Sequence, residues 1–379
     1  MRIGHYYADL LGDGGCPSNV RFLSQAQLKR GHDVIGFGFD GPHGSLLPDG
    51  LEVVTAARTP FGLRSLIRQM IHGPQRPDVM TVWGALILGN ELVMRAARRS
   101  YLPTMLSPQG HLDPFLYSHG RRWSKRTYKR VALRPELARW TSDLHAQSPY
   151  EAKLAAELGF TGRSHLFPLG TPTVTLQSSR PGPLRIALGL DRDALLIGFF
   201  GRFDPVQKRF DALVDGLSRC RVLAERGEVT FVIAGKGDSR QMRQTRRLIE
   251  RHQMSGLIKM AGPFEGEDKF RALQDLDVLL HPSRYEGLPR VIREAAAVGT
   301  PSVVSLQANA ELLVRAGGAL LSEVAPQSLG RVITRVVRDA DWRRDASRAA
   351  KRWAGQNDWD ACAANFEVAF EESISASAA

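Results

Sequence analysis

Apolar and polar positions follow a strand, turn, helix and strand pattern that is clearest between residues 278 and 305. The apolar run 278–280 predicts a buried parallel strand, and a polar turn follows it. We expect Pro289 at the first helical position, where its fixed φ angle and missing N–H cost nothing. The apolar face of this helix ends at Gly299, which favours a left-handed helix terminus, and the next strand covers 302–305. The pattern therefore predicts a helix that begins at the tip of a parallel strand.

The same alternation runs along the rest of the chain and predicts an α/β protein. A first strand at 2–7 precedes a glycine-rich loop at 12–18 and a helix that ends near Gly31. Further strands are predicted at 33–37, 51–54, 79–83, 104–106, 143–147, 165–168, 195–200 and 230–234. Helices are predicted at 61–72, 88–98 and 210–217, and residues 117–140 are helical over much of their length. Parallel strands joined by helices predict doubly wound sheets.

The length of 379 residues and one polar segment predict two domains. The first covers residues 1–172 and the second 184–357, and the linker between them is rich in Ser, Pro and Gly and covers 173–183. A closing amphipathic helix at 358–374 belongs to the segment 358–379. We expect two facing Rossmann-like domains with a cleft between them.

Composition and charge limit the possible partners. The chain carries 51 Lys and Arg against 39 Asp and Glu, a net charge of +12, and its densest basic stretch is 121–139, with eight basic residues and one acid. This stretch predicts either a surface for anionic lipid or a solvated basic face beside a polyanionic ligand. Nucleic-acid binding is disfavoured because no reader motif accompanies the charge.

The chain gives no sign of secretion, membrane spanning or disulfide bonds. No apolar run is long enough to cross a bilayer, and the N-terminus lacks the apolar core of a secretion signal. The three cysteines, Cys16, Cys220 and Cys362, are far apart and form no metal-binding pattern. We expect a cytoplasmic protein with reduced thiols, and the lipid alternative for 121–139 would place it at the inner face of the cell membrane.

Two carboxylates lie eight residues apart at the strand-to-helix turn, Glu286 before the helix and Glu294 in its second turn. A helix N-terminus offers free N–H groups and partial positive charge, so phosphate is the expected occupant, and carboxylates can bind hydroxyls. A sugar nucleotide has both groups. The alternative is that Glu286 favours the helix N-terminus electrostatically and that Glu294 is solvated.

The string HPSRYEGLP at 281–289, followed by Glu294 and Ala295, resembles the signature of the retaining glycosyltransferase family 4, also called glycosyl transferases group 1. The resemblance implies the GT-B fold, with the C-terminal helix crossing back to the first domain. It implies that the first domain is on the acceptor side and that the second binds the nucleotide sugar. It also implies that Glu286 binds the donor sugar, Glu294 binds the ribose, and the backbone of Gly287, Leu288 and Pro289 approaches the diphosphate.

Other glycine-containing turns have counterparts in the same family. Gly201 and Arg202 end a strand, and Lys208 follows before the helix at 210–217, so two cations are predicted beside a helix N-terminus. The resemblance covers this element, although Arg209 stands where the family has glycine. It further implies that the amides of Gly14 and Gly15 face the donor phosphates and acceptor. Gly262 and Pro263 would contact the base.

The loop after the strand at 104–106 departs from the family pattern. Gln109 stands where the family has a histidine that approaches the donor sugar, and His111 comes two residues later. Gln109 can form hydrogen bonds but cannot titrate. Either Gln109 keeps a positional role or His111 takes the place of the family histidine. A second departure is the segment QANAE at 307–311, where the family has two glycines before the glutamate.

The resemblance implies the retaining, metal-independent transfer of a sugar from a UDP- or GDP-linked donor to a hydroxyl of a glycan, a lipid-linked oligosaccharide or a small molecule. Polysaccharide or glycoconjugate biosynthesis is the expected setting. The donor is a co-substrate, so no cofactor and no metal site are predicted, and the D-x-D pattern at 275–277 is interpreted as helix-end chemistry. Two alternatives stay open: a sugar-nucleotide epimerase or hydrolase of the same fold, and a non-catalytic membrane-associated protein.

Overall fold

The computed structural model describes residues 1–41, 47–87, 89–118, 122–176 and 181–378. These residues form two units, Met1–Gly170 with Asn357–Ala379, and Thr171–Gln356. The predicted linker at 173–183 includes residues 177–180, which lie outside the described residues, and its last residue, Pro183, begins a helix of the second unit.

The first unit is built on a parallel sheet of seven strands in the order β3-β2-β1-β4-β5-β6-β7. Its strands are β1 (Arg2–Tyr6), β2 (Asp33–Phe39), β3 (Glu52–Ala56), β4 (Val79–Trp83), β5 (Thr104–Ser107), β6 (Asp143–Ala146) and β7 (Arg163–Leu166). Its helices are α1 (Gly15–Lys29), α2 (Pro60–His72), α3 (Asn90–Arg99), α4 (Phe115–Ser118), α5 (Arg122–Tyr128) and α6 (Pro149–Glu157). The central strands β4 and β5 are buried along their whole length, which accounts for their nearly continuous apolar sequence.

The segment predicted as helical at 117–140 contains π-helical turns. After α5, residues Lys129–Leu133 and Glu136–Trp140 form two π-helical segments, while 119–121 lie outside the described residues. Helical structure is thus confirmed for the described part, but its type was not predictable from periodicity. Turns of this kind are rare and are frequent at functional sites.

The second unit is built on a sheet of six strands in the order β10-β9-β8-β11-β12-β13. Its strands are β8 (Leu196–Phe200), β9 (Thr230–Ala234), β10 (Ile258–Ala261), β11 (Val278–His281), β12 (Ser302–Val304) and β13 (Ala319–Leu321). Its helices are α7 (Pro183–Leu188), α8 (Phe210–Ser218), α9 (Arg221–Glu225), α10 (Ser239–Arg251), α11 (Gly266–Asp275), α12 (Arg290–Val298), α13 (Glu311–Arg315), α14 (Pro326–Arg338) and α15 (Ala340–Gln356). Every strand pair in this sheet is parallel.

The last helix, α16 (Trp359–Ala378), returns to the first unit and packs against α1. Phe366 and Phe370 are fully buried there, and the Phe366 ring lies 6.2 Å from that of Trp83 on β4. This confirms the predicted closing helix and its return to the first domain. The predicted fold class, two Rossmann-like α/β domains, is also confirmed.

Two predicted boundaries need correction. The helix expected after the loop at 12–18 begins at Gly15, because Pro17 lies in the first helical turn, where proline is tolerated. Pro289 is the residue before α12 and has extended backbone geometry, with a ψ angle of 133°, so the helix begins at Arg290. Gly299 ends α12 in the left-handed conformation, with a φ angle of 84°, as the sequence predicted.

Among the described residues, no helix combines the length and the apolar character that crossing a membrane requires.

Candidate active site

The candidate site of the second unit lies where the strand order of its sheet reverses. From β8 the chain moves outward to β9 and β10, then returns to place β11 on the other side of β8 and continues to β12 and β13. In open parallel sheets, ligands bind outside the carboxyl ends of the strands at such a reversal. The loop after β8 carries Gly201, Arg202 and Lys208, and the loop after β11 carries Glu286. The topology therefore brings these residues to one point.

Lys208 and Glu286 form a buried ion pair at this point. The Lys208 ammonium contacts Oε1 of Glu286, and only 8% and 12% of the two side chains are exposed. Ser283 Oγ donates a hydrogen bond of 3.0 Å to the same carboxylate oxygen, and Nε2 of the buried His281 lies 3.6 Å from it. Three polar groups thus converge on one carboxylate.

The electrostatics of the pair favour the ionised carboxylate. Burial alone would raise the pKa of Glu286, but the charge of Lys208 and the nearby His281 outweigh it and lower this pKa to about 2. The pKa of His281 is lowered by its burial and by the nearby Lys208, so its imidazole is neutral. The pair therefore holds an ionised carboxylate beside the Lys208 ammonium at neutral pH.

The backbone around Glu286 is held by the neighbouring loop after β12. Asn309 donates a side-chain hydrogen bond to the backbone oxygen of Glu286, and Ser305 Oγ donates one of 2.7 Å to the backbone oxygen of Ser283. Asn309 has a φ angle of 54°, in the left-handed region that asparagine tolerates better than most residues. The segment 307–311, which differs from the family pattern, therefore supplies a hydrogen-bond donor, Asn309, to the Glu286 loop.

Glu294 is buried in the second turn of α12, with 1% of its side chain exposed, so its interpretation as a solvated residue is wrong. The ammonium of Lys269, on α11, lies 2.5 Å from Oε2, and Nε of Arg290 lies 2.8 Å from Oε1. Gly287, Leu288 and Pro289 lead from Glu286 into the N-terminus of α12. This arrangement places two carboxylates and two lysines around one helix N-terminus.

The remaining predicted residues of the second unit are less enclosed. Arg202 is exposed at the end of β8 and forms no ion pair with any described residue. Arg209 adopts a φ angle of 53° directly before α8, so arginine occupies a left-handed position here and pairs with Asp211. Gly262 and Pro263 are exposed after β10, at the same edge of the sheet but two strands from β8.

Gly201 is confined by a second glycine. A Cβ atom on Gly235 would lie 1.8 Å from the backbone oxygen of Gly201, closer than any real contact, so the two turns meet only because residue 235 is glycine.

The D-x-D pattern at 275–277 is structural. The Asp275 carboxylate accepts hydrogen bonds from the backbone amides of Gly182, Leu184 and Arg185 at the start of α7.

The first unit has its own strand reversal, between β1 and β4, and the predicted residues of this unit lie near it. Gly14 precedes α1 with a φ angle of 148°, and a Cβ atom on Gly15 would meet nothing within 4 Å. The free N–H groups at the start of α1 are thus open to a ligand.

Gln109 and His111 differ in their contacts. Gln109 adopts a φ angle of 58°, donates a hydrogen bond of 2.8 Å to Ser107 Oγ and accepts one of 3.3 Å from Asn19 on α1. His111 places Nδ1 2.6 Å from the backbone oxygen of Ala85, and burial lowers its pKa. The Gln109 amide is therefore held by two side chains, whereas His111 is held through one ring nitrogen.

Two supporting residues were missed in the sequence. Lys269 belongs to no motif of the sequence, and nothing in the sequence predicted its contact with Glu294. Glu151 is fully buried and accepts hydrogen bonds from the backbone amides of Gly110, at 2.7 Å, and Gln147, at 3.0 Å. Burial raises the pKa of Glu151 to about 7. The Ser-x-x-Glu spacing from Ser148 signals a helix start, but not the contact with the loop of Gln109.

Comparisons with known proteins agree with this fold. Residues 194–339 match the family described as glycosyl transferases group 1. A D-inositol 3-phosphate glycosyltransferase of Jonesia denitrificans is 28% identical over 192 residues, covering 49% of this chain and 45% of the relative. The protein of the same name from Frankia alni is 28% identical over 218 residues, covering 55% and 53%. The chain thus matches about half the length of these relatives.

Two solved structures are similar over nearly the full chain. The sucrose-phosphate synthase of Thermosynechococcus elongatus superimposes with a TM-score of 0.77 at 18% identity and covers 99% of both chains. HepE of Anabaena, solved in complex with UDP-glucose, has a TM-score of 0.73 at 20% identity and covers 99% of this chain and 100% of its own. At these identities the likeness establishes the fold. The chain therefore has the GT-B fold, and its residues 194–339 match the glycosyl transferases group 1 family.

Proposed function

We propose that this protein is an enzyme that transfers a glycosyl unit from a nucleoside-diphosphate sugar to a hydroxyl group of an acceptor, with retention of the anomeric configuration and without a metal ion. The observation that carries the proposal is the buried Lys208–Glu286 pair at the strand reversal, within the region matched to the family. A carboxylate beside a cation suits a ligand that has both hydroxyl groups and a charged phosphate.

Each side chain has a role that follows from its charge. Lys208 and Arg202 would neutralise the diphosphate as it departs, together with the amides at 287–290. Glu286 would accept hydrogen bonds from the donor sugar, and Glu294 from the ribose. Gly201, Gly262 and Pro263 would supply backbone contacts to the nucleotide.

The reaction breaks the bond between the anomeric carbon and the phosphate oxygen and forms a bond from that carbon to the acceptor oxygen. In the proposed course the departing phosphate takes the proton of the acceptor hydroxyl on the same face of the sugar. Charge stabilisation of the diphosphate then lowers the barrier, and Lys208 supplies it from a site with little water. Gln109 or His111 would orient the reacting groups.

The proposed donor is a UDP- or GDP-linked sugar. The complex of HepE with UDP-glucose supports the uridine form. The acceptor would be a glycan, a lipid-linked oligosaccharide or a small molecule, and polysaccharide or glycoconjugate biosynthesis in the cytoplasm would be the setting.

The experiment is a transfer assay with purified protein, UDP- and GDP-sugars and an acceptor panel, with and without EDTA. We expect one donor to be used, activity to persist in EDTA, and NMR of the product to report the donor's anomeric configuration. Glu286→Gln and Lys208→Met should each lower kcat/KM by at least about a hundredfold, the range of a lost charge contact in a transition state. Glu267→Gln is the control, because Glu267 is 63% exposed on the surface of the same unit. Prompt turnover of the donor without acceptor would contradict transfer and favour an epimerase or hydrolase.

We further propose that the basic segment within 121–139 holds the protein on an anionic membrane surface. Arg126, Arg130 and Arg134 are exposed, Val131 between them is 69% exposed, and the acid of the stretch, Glu136, is buried. Each arginine near an anionic surface contributes about 1 kcal/mol. The fraction of protein that sediments with phosphatidylglycerol vesicles should therefore fall when Arg126, Arg130 and Arg134 are all replaced with Gln. Equal binding of the unchanged protein to phosphatidylcholine and phosphatidylglycerol vesicles would contradict the proposal.

A further inference from the structure

A cavity of about 420 Å³ lies in the first unit, beside His111. It is lined by Leu86, His111, Leu116, Ser124 and Tyr128. None of these lining residues is an aspartate, glutamate, lysine or arginine, although the surrounding segment is strongly basic. Its volume is within the range of ordinary small-molecule pockets. The cavity is therefore large enough for a ligand and mostly apolar.

The backbone around the cavity is strained in two adjacent loops. Leu86, after β4, has a φ angle of 54°, and Gln109, after β5, has one of 58°. A left-handed conformation is uncommon for a residue other than glycine and is unfavourable for a bulky one. Such strain persists only where the surroundings enforce it, and it concentrates at binding sites.

Gly84, in the first of these loops, allows the His111 ring to take its place. Gly84 has a φ angle of 80°, and a Cβ atom there would lie 2.5 Å from Cδ1 of Ile87 and 3.2 Å from two atoms of the His111 ring. The Leu86 side chain then forms one wall of the cavity and His111 another.

The polar groups at the cavity have fixed directions. Nδ1 of His111 lies 2.6 Å from the backbone oxygen of Ala85, so it must carry the proton, and Nε2 presents a lone pair. No described residue donates a hydrogen bond to this Nε2. The Tyr128 hydroxyl donates a hydrogen bond of 2.9 Å to the backbone oxygen of Ile87, so its proton is already used within the protein. The described lining of the cavity thus combines apolar side chains with the Nε2 acceptor of His111 and the hydroxyl of Ser124.

We propose that this cavity binds an uncharged apolar group of the acceptor, and that Nε2 of His111 accepts a hydrogen bond from a hydroxyl next to that group. The acceptor class is then a sugar or polyol with an apolar substituent, such as an aryl or alkyl group. A charged substituent would lose its hydration among Leu86 and Leu116, and the described lining residues include no side chain of opposite charge. The identification of this ligand as the acceptor rests on the proposed glycosyl transfer. The binding of an apolar ligand in the cavity does not.

The test measures the affinities of two probes for the 379-residue chain in the absence of donor. Isothermal titration calorimetry with 4-nitrophenyl β-D-glucopyranoside and with methyl β-D-glucopyranoside separates the aryl group from the sugar. We expect the aryl glucoside to bind at least about tenfold more tightly, which corresponds to about 1.4 kcal/mol. Equal affinities would overturn the proposal.

Variants locate the binding. Ser124 is exposed at the cavity, so Ser124→Trp should fill its mouth without disturbing the core and remove the preference for the aryl probe. Val131→Trp is the control, because Val131 is also exposed but does not line the cavity. His111→Phe keeps the ring but not Nε2 and should weaken the aryl probe several-fold. An unchanged preference in Ser124→Trp would overturn the site, and an unchanged affinity in His111→Phe would overturn the hydrogen bond.

The two proposals fail separately. If a nucleoside diphosphate binds and sugar is transferred to methyl and aryl glucosides equally well, the cavity is wrongly assigned and glycosyl transfer stands. If the aryl glucoside binds with the expected preference but no donor binds, glycosyl transfer is wrong and the cavity stands.

Discussion

Replacing Lys208 with methionine should destabilise the second unit by an amount that the Glu286 pKa sets. Methionine keeps the length and apolar stem of the side chain but removes the ammonium. Among the described residues, the Glu286 carboxylate, whose side chain is 12% exposed, then keeps Ser283 as a hydrogen-bond donor and the neutral His281 as a neighbour. Leaving one member of a buried ion pair costs about 3 to 5 kcal/mol.

The pKa of Glu286 gives a similar magnitude. It is lowered from 4.5 to about 2 in the folded protein. A change of one pKa unit corresponds to about 1.4 kcal/mol, so the ionised carboxylate contributes roughly 3 kcal/mol to the free energy of unfolding. Because the folded-state pKa is depressed, this contribution is fully present above pH 4.5 and is lost as the pH falls towards 2. In Lys208→Met, burial dominates and the pKa of Glu286 should rise.

The assay is urea unfolding at pH 7 and pH 5, followed by hydrogen-exchange mass spectrometry of peptides from β8 and β11. We expect Lys208→Met to lose about 3 kcal/mol at pH 7 and less at pH 5, where the unpaired acid begins to take up a proton. The double variant Lys208→Met/Glu286→Gln should recover much of the loss. Lys153→Met, at an exposed pair whose lysine is 73% exposed, should change stability by less than about 0.5 kcal/mol. A loss in Lys208→Met that is independent of pH and remains in the double variant would refute the reasoning.

Three further changes have expected outcomes. Burial and the nearby Glu91 raise the pKa of Glu136 from 4.5 to about 8, so stability present below pH 4.5 is lost as the pH rises towards 8, and Glu136→Met should raise the melting temperature more at pH 8 than at pH 5. An equal effect at both pH values would contradict this. Gly235→Ala should displace Gly201 and weaken nucleotide binding at least about tenfold by calorimetry, whereas Gly355→Ala, whose Cβ would meet nothing within 4 Å, should leave binding unchanged. Lys269→Met should leave Glu294 with Arg290 and weaken binding of a nucleoside diphosphate more than that of inorganic pyrophosphate, and equal weakening of both would contradict a role near the ribose.

Much of the second unit was predictable because its signals are local. A buried strand, a polar turn and a helix start recur after β8 and β11, and parallel topology brings their carboxyl ends together. Lys208 and Glu286 were therefore predicted as site residues from the sequence, and they lie together in the structure, although their mutual ion pair was not expected. The left-handed end of α12 at Gly299 followed from glycine alone.

Other features depend on packing that no local pattern encodes. Arg209 and Asn309 stand where the family has glycine, and both adopt φ angles near 54°. The tertiary structure thus keeps the backbone conformation although the glycine is replaced, and Asn309 adds a hydrogen bond to the Glu286 loop. Lys269 and Glu151 reach their partners from other helices, so sequence spacing could not reveal them. The cavity beside His111 depends on the strained Leu86, which reads as an ordinary apolar residue.

The central claim is that the second unit binds an activated sugar through Lys208, Glu286 and Glu294. The decisive test is a crystal structure of the protein after it has bound a non-hydrolysable UDP- or GDP-sugar in solution. We predict that the diphosphate contacts Lys208, the sugar hydroxyls contact Glu286, and the ribose contacts Glu294 at the N-terminus of α12. A donor bound with none of these contacts, in a protein that is active, would contradict the account.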